Sequence, residues 1–296
     1  MPAKNNTKRK IQDWWATNPM TYGSDHGETS YLVGQERQSF ELGSRDFFEQ
    51  ADNVLLKWNR SLHRADRAFG KIFDYSRFAG QRVLEIGCGM GFMAMNWAKQ
   101  GADIVATDLN PVAVAQTKQR FSLFDVQGDV VQTDAENLPF EAQSFSYVYS
   151  WGVLHHTPGI ENAIRRIYRL LQPGGGIGLM LYNRSSLRAR YLLDYVEKYV
   201  HMENSFLTDL ELHSRYGDGA AAEGNNYTWP VTQSEVKQVL LRSFTNLRIK
   251  VLGSEMGSLL DTITPGLGTY LMPMAMKKAL ARRWGWSLWI SAEKPR

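Results

Sequence analysis

The stretch Arg82-Val83-Leu84-Glu85-Ile86-Gly87-Cys88-Gly89-Met90-Gly91 decides the fold. A short apolar run ends at a glycine. Glycines at alternate positions then lead into residues 92–99, which have the spacing of a helix and are closed by Gly101. Such a join lets the backbone come close to a ligand and exposes N–H groups at a positive helix end. The same grammar repeats downstream. Residues 104–107 are a strand ending at Asp108, and Pro111 sits in the first turn of a helix over 112–123. Residues 130–133 are a third strand ending at Asp134, and 145–149 a fourth. An amphipathic helix over 160–171 is stopped by Pro173-Gly174-Gly175, and 177–182 is a fifth strand. Strands alternating with helices in units of about 25–30 residues predict an α/β domain with a parallel sheet covered on both faces.

Outside this region the pattern is looser. Residues 1–30 are polar and turn-rich apart from Ile11, Trp14, Trp15, Met20 and Tyr22. Residues 44–80 predict helices, from the spacing of Phe47, Phe48, Val54, Leu55 and Trp58, with Ser44 as a cap. After the fifth strand, 187–200 is expected to be a helix, 203–228 a loop, 232–244 a helix, and 247–251 and 286–292 strands. Residues 254–283 receive no assignment. Trp284, Trp286 and Trp289 are expected in the core.

Composition narrows the class. With 43% hydrophobic residues in 296, the chain can bury a sizeable core, which excludes disorder as its dominant state. A single cysteine excludes an intramolecular disulfide framework and a cysteine-based zinc site, and is compatible with a reducing cytoplasm. No run approaches the roughly 18 apolar residues of a spanning helix. The basic start MPAKNNTKRK is followed by Gln12 and Asp13 rather than by the apolar run of a signal peptide, so a soluble cytoplasmic protein is expected. The net charge of +4 rests partly on Lys4, Lys8, Arg9 and Lys10 at one end and Lys277, Lys278, Arg282 and Arg283 at the other. These read as solvated termini rather than a nucleic-acid face. There is no repeat or low-complexity tract.

The chemistry is carried by the strand ends. The glycines stand at 87, 89 and 91, whereas a dinucleotide fingerprint places its third glycine one position later, at what is here Phe92. Asp108 closes the second strand, where a carboxylate can accept from both ribose hydroxyls. Asp134 closes the third and could accept from an adenine amino group. Two acids without a P-loop lysine suit adenosine lacking phosphates, which points to S-adenosylmethionine.

In order, VLEIGCGMG (83–91), ATDLNP (106–111), TDAENLPF (133–140), FSYVYSWGVLHHTP (145–158) and LLQPGGG (170–176) resemble the motif series of class I S-adenosylmethionine-dependent methyltransferases. They most resemble the ubiquinone/menaquinone-type small-molecule branch, to which IQDWWATNPMTYG (11–23) and LMLYNRSS (179–186) are also similar. The resemblance implies a Rossmann-like, doubly wound, seven-stranded sheet whose last strand, 286–292, runs antiparallel. It divides the chain into an N-terminal helical lid and substrate-binding segment (1–70), a cofactor-binding core (71–182), an acceptor-side cap insertion (183–228) and a C-terminal part completing the sheet (229–296). It implies that Glu85, Gly87, Cys88 and Gly89 line the methionine end of S-adenosylmethionine and that Asp108 holds the ribose. Leu109 would pack on the adenine, Asp134 and Ala135 would meet its edge, and Ser150 and Trp151 would lie beside the sulfonium.

His155 and His156 follow close to where an acceptor must lie, and one of them is a candidate general base. They could instead orient the substrate or fix the loop, and their spacing is not that of a metal site, so no metal is expected. Trp15 and Tyr22 belong to an aromatic segment that reads as a lid or as a packed edge, and Asn183 and Arg184 could reach a polar acceptor. The expected reaction is methyl transfer to O or N of a small biosynthetic acceptor, leaving S-adenosylhomocysteine. Three competitors share these motifs: a tRNA or other RNA methyltransferase, an enzyme that cyclises or transfers the aminocarboxypropyl arm instead of methylating, and a non-enzymatic regulator. Oligomeric state is not legible.

Overall fold

The computed structural model describes residues 2–23, 27–64, 67–217, 224–253 and 270–296. A hairpin of β1 (Ser30–Val33) and β2 (Glu36–Ser39) stands apart from a sheet of β3 (Arg82–Ile86), β4 (Asp103–Asp108), β5 (Asp129–Gln132), β6 (Phe145–Trp151), β7 (Leu171–Tyr182), β8 (Thr245–Leu252) and β9 (Ser287–Glu293). This sheet has seven strands in the order β5-β4-β3-β6-β7-β9-β8. Strands β3 to β7 are parallel, and β9 runs antiparallel between β7 and β8, one place in from the edge.

Side chains alternate between two cores, as the pleat requires. Leu84 and Ile86 join Val148, Ile164 and Ile167 on one face; Val83 joins Ile104, Tyr149, Trp97 and Trp289 on the other. Phe73 stacks between Trp97 and Trp289, with ring centroids 5.6 and 5.0 Å away. The main helices are α1 (Pro2–Thr17), α2 (Arg45–Trp58), α3 (Phe92–Lys99), α4 (Pro111–Leu123) and α5 (Ile160–Leu170). Ser44 caps α2 by accepting from the Phe47 N–H at 3.1 Å, and Asn110 caps α4, with Pro111 in its first turn.

The structure departs from the sequence reading in several places. Within residues 1–30, read as polar and turn-rich, Pro2–Thr17 form helix α1, in keeping with the helical segment that the resemblance implied. Residues 203–228, expected as loop, contain the helix Asp209–Gly217. Helix α5 ends at Leu170, ahead of the Pro-Gly-Gly stop. Those residues lie inside β7, where the register shifts between Phe145 and Tyr147. The expected helix 187–200 is a π-helix, Arg188–Val200, and the expected helix 232–244 is one turn, Gln233–Glu235, running into a π-turn, Val236–Leu240. Trp286 and Trp289 are buried, but Trp284 ends the helix Met274–Trp284 and is exposed. Residues 254–269 lie outside the described residues. Among the described residues, no helix is long and apolar enough to cross a membrane.

From β3 the chain winds to β4 and β5 on one side and to β6 and β7 on the other. The carboxyl ends therefore part between β3 and β6, where open α/β sheets place ligands.

Candidate functional site

A cavity of about 330 Å³ opens at that point, within the range of small-molecule sites. Its floor is the glycine turn. Gly87 has φ +80°, and a Cβ there would stand 2.1 Å from Val153 Cγ2, so the close approach of the two loops admits only glycine. At Gly89 a Cβ would point into open space, which leaves the backbone bare toward a ligand. The amides of the turn are already engaged. Gly87 and Cys88 N–H both donate to Thr107 O (2.7 and 2.9 Å), Gly91 N–H donates to Cys88 O, and Gly89 N–H donates to Asp108 Oδ2 at 2.9 Å. A phosphate cradle needs such donors available, so the expected exposed N–H groups at 87–89 are instead spent on the protein.

Charge points the same way. Five carboxylates line the cavity (Asp52, Glu85, Asp108, Asp134 and Glu136) against two permanent cations, Lys8 and Arg120. Burial, and then the charge of Asp108, hold the Glu85 carboxyl well above the usual range. Its Oε2 is buried without a hydrogen-bond partner among the described residues. Burial also raises Asp108, against the pull of the N–H groups of Asn110 and Gly89. Asp52 is raised by burial even though it is paired with Arg120. The Arg120 guanidinium is fully buried, 4.8 Å from the centroid of the Phe48 ring, and donates to Met90 O at 2.8 Å. It is a fixed counter-charge to Asp52. A surplus of strained carboxylates accepts a cation and rejects a phosphate. S-adenosylmethionine, with its sulfonium and ammonium, fits this set.

Helix α1 closes one side. Lys8 Nζ lies 2.7 Å from Asp134 Oδ2 and 2.9 Å from Glu136 Oε1. Burial opposes its charge, yet the two carboxylates hold the ammonium above its ordinary pKa. Gln12 donates to Leu109 O at 3.3 Å, and Asn110 donates to Trp15 O at 2.8 Å. The helix is thus tied by polar groups to the loops after β4 and β5. Asp134 reaches the cavity, but Oδ1 accepts from Glu136 N–H and Oδ2 from Lys8 and Asn137.

Part of the lining is apolar: Trp15, Met20, Tyr22, Trp58, Phe69, Trp151, Met180 and Tyr182 form an aromatic-rich wall. Tyr22 meets Trp58 edge-on at 5.9 Å, and Phe69 lies 4.5 Å from Trp151. Burial, then the charge of Asp52, pushes the Tyr22 phenol up to about 12, so it stays a neutral hydroxyl. His156 lines this wall, edge-on to Trp15 at 5.5 Å.

Of the residues singled out in the sequence, Glu85, Gly87, Cys88, Gly89, Asp108, Leu109, Asp134, Ala135, Trp151, His156, Trp15 and Tyr22 come together around the cavity. Four do not line it. Ser150 is buried with its hydroxyl on Ile86 O at 2.9 Å. His155 is buried against Tyr182, ring centroids 3.8 Å apart, with Nδ1 accepting from Tyr182 N–H, and burial pushes its pKa well down. Asn183 is spent inside, donating to Gly285 O at 2.9 Å. Arg184 points outward, pairs with Glu235 and covers the Trp229 ring. The next residue on a strand or tight turn faces the other way, so residues adjacent in sequence part here. Sequence reading missed Lys8, Gln12, Asp52 and Arg120. A signal existed for the last two: Asp52 interrupts the buried row Phe48, Ala51, Leu55, and Arg120 falls on the buried row Ala113, Val114, Thr117, Phe121.

Residues 83–175 match a family described as a methyltransferase domain. A ubiquinone biosynthesis O-methyltransferase of Pseudomonas entomophila (strain L48) is 31% identical over 145 residues, which are 45% of this chain and 61% of that relative. The chain spans less than two thirds of the length of the curated relatives it matches. Among solved structures, the 4+2 cyclase SpnF superposes with a TM-score of 0.53 at 17% identity, covering 98% of this chain and 96% of that one. Haemonchus contortus phosphoethanolamine N-methyltransferase 2, in complex with S-adenosyl-L-methionine, gives 0.51 at 18%, covering 88% and 62%. These two likenesses show the fold.

Proposed function

We propose that this chain, whose residues 83–175 match a methyltransferase domain, is a class I S-adenosylmethionine-dependent enzyme that methylates O or N of a small, largely apolar acceptor. The observation that carries the reading is one cavity with acidic residues, among them Glu85 with a carboxylate oxygen unpartnered among the described residues, and an aromatic wall bearing a histidine. When bound, the cofactor supplies a methyl carbon already activated for displacement. Asp108 receives the ribose hydroxyls, Leu109 and Ala135 flank the adenine, Asp134 and Lys8 border its edge, and Glu85 and Asp52 take the ammonium. The aromatic wall with Trp15, Tyr22 and Trp151 seats the acceptor and excludes water. The protein's work is mainly alignment, which is worth on the order of 7–11 kcal/mol in well-oriented reactions. His156 is the candidate base; His155, Asn183 and Arg184 serve the framework.

The name ubiquinone biosynthesis O-methyltransferase of a relative supports an oxygen acceptor on an apolar frame. Fold alone does not fix the reaction, since a 4+2 cyclase shares it. The deciding experiment is incubation with labelled S-adenosylmethionine and a cytoplasmic metabolite extract, read by mass spectrometry. Methylated product with S-adenosylhomocysteine is expected. Methylthioadenosine, or consumption of a metabolite without label transfer, would replace this reading with a non-methylating one. Label in RNA would replace the small acceptor.

Cofactor binding is expected to release a proton. The Glu85 carboxyl, raised by burial and by Asp108, keeps its proton above the ordinary carboxylate range. A neighbouring ammonium favours the charged form and draws that pKa down. Affinity should therefore rise with pH between the ordinary Glu value and the raised one, then level off. Calorimetry in buffers of different ionisation enthalpy checks this: the apparent enthalpy should depend on the buffer in that window, and Glu85→Gln should remove the dependence.

A further inference from the structure

The buried turn from Asn225 to Thr228, we infer, holds His156 as the neutral imidazole protonated on Nδ1, so that Nε2 carries the lone pair that takes the acceptor's proton. The inference rests on reading the cavity as the methyl-transfer site. Nδ1 of His156 lies 3.0 Å from Tyr227 O, 3.0 Å from Thr228 Oγ1 and 3.5 Å from Asn225 Nδ2. A carbonyl can only accept, so the first contact demands a proton on Nδ1. The Thr228 hydroxyl donates to Asn225 Oδ1 at 2.7 Å, and its lone pair therefore faces Nδ1 as well. Asn225 Oδ1 also accepts Tyr227 N–H at 3.0 Å, which fixes the amide with its NH₂ toward the histidine. That one donor, at the outer limit of hydrogen bonding, is outweighed by two acceptors at 3.0 Å.

The turn is a built support. Thr228 is fully buried and Asn225 nearly so. Ser214 of the helix Asp209–Gly217 receives Thr228 N–H on Oγ at 2.9 Å and Asn225 N–H on its carbonyl at 3.1 Å. Trp229 N–H donates to His155 O at 2.8 Å, which ties the turn to the histidine pair itself. With Nδ1 committed to this side, the proton of an acceptor O–H or N–H passes to Nε2, and its electron pair stays on the acceptor atom. The resulting imidazolium keeps its Nδ1–H on the Tyr227 carbonyl. Asn225 and Thr228 are thus positioning residues, acting through His156.

The tautomer is read directly by ¹⁵N NMR of the full chain labelled at histidine, with His156 identified by the signals lost in His156→Gln. The expected result is a protonated Nδ1 and an unprotonated Nε2. The reverse pattern in the wild type overturns the inference. In Asn225→Ala the Thr228 hydroxyl, freed of its acceptor, competes as a donor to Nδ1 against the Tyr227 carbonyl that stays in place, and a measurable share of the reverse pattern should appear. Adding Thr228→Val removes that donor and should abolish this share. A single variant with no reverse pattern, or a double variant that keeps it, overturns the relay. Calorimetry with S-adenosylmethionine on the same samples keeps the two readings apart. Binding with the wrong tautomer sinks this inference alone; the expected tautomer without binding sinks the assigned function alone.

Discussion

Replacing Asp108 by alanine is expected to weaken S-adenosylmethionine and S-adenosylhomocysteine binding by about 100-fold or more, without unfolding the protein. The carboxylate is set before any ligand arrives, because Gly89 and Asn110 N–H groups each donate to it at 2.9 Å. On the proposed reading, vicinal ribose hydroxyls would add two charge-assisted hydrogen bonds, each worth about 1.5–3 kcal/mol. Losing about 3 kcal/mol is roughly 100-fold in Kd. The empty protein loses less. Burial raises the pKa of Asp108, so its charged form opposes folding at neutral pH, and alanine relieves that while leaving two amides unpaired. Asp108→Asn keeps one acceptor and should fall between. Calorimetry gives the affinities and a thermal melt the integrity. Wild-type affinity in a folded Asp108→Ala protein removes the ribose assignment and, with it, the orientation of the ligand.

The contrast between Asp108 and the rest of the site shows what a sequence can display. Strands β3 to β6 and helices α3 and α4 were legible because each run is closed within a few residues by Gly or Asp, and a residue at a strand's carboxyl end is thereby placed at the cleft without further information. A helical N-terminal segment was expected from the resemblance alone; helix α1 was not legible in the residues themselves. Within its described side chains only Ile11 is buried, and it docks by Lys8, Gln12 and a main-chain carbonyl, so it has no apolar period to read. Nor was the β1–β2 hairpin, where every residue of β2 is exposed. The histidine pair stayed ambiguous because its resolution depends on Thr228 and Asn225, about 70 positions downstream. The same distance problem hid the ion pair inside the wall: Asp52 and Arg120 are 68 positions apart, and neither belongs to a motif.

That pair yields the largest expected effect on stability. Arg120→Met should destabilise the protein by about 3 kcal/mol, because it removes the partner of Asp52, a largely buried carboxylate whose side chain is 17% exposed. The methionine fills much of the space between the Phe48, Phe92 and Phe124 rings, which the guanidinium approaches to 4.8, 5.8 and 5.8 Å, so lost packing is the smaller part. Adding Asp52→Asn removes the orphaned charge and should recover most of the loss, since a buried pair replaced as a pair is often close to neutral. The pH dependence has a definite sign. Asp52 already has a folded pKa above its unfolded value, mainly from burial, and losing Arg120 removes the chief opposing influence and raises it further. A carboxyl shifted upward is bound by more protons in the native state, so its contribution is fully present below the unfolded pKa and is lost as pH rises through the folded one. Arg120→Met should therefore lie near the wild type in mild acid and fall away from it toward neutral pH, whereas the double variant should track the wild type throughout. Urea melts across that range measure the difference. A constant gap would mean that the guanidinium matters for its rings and its bond to Met90 O, and that Asp52 finds its compensation elsewhere on the cavity wall.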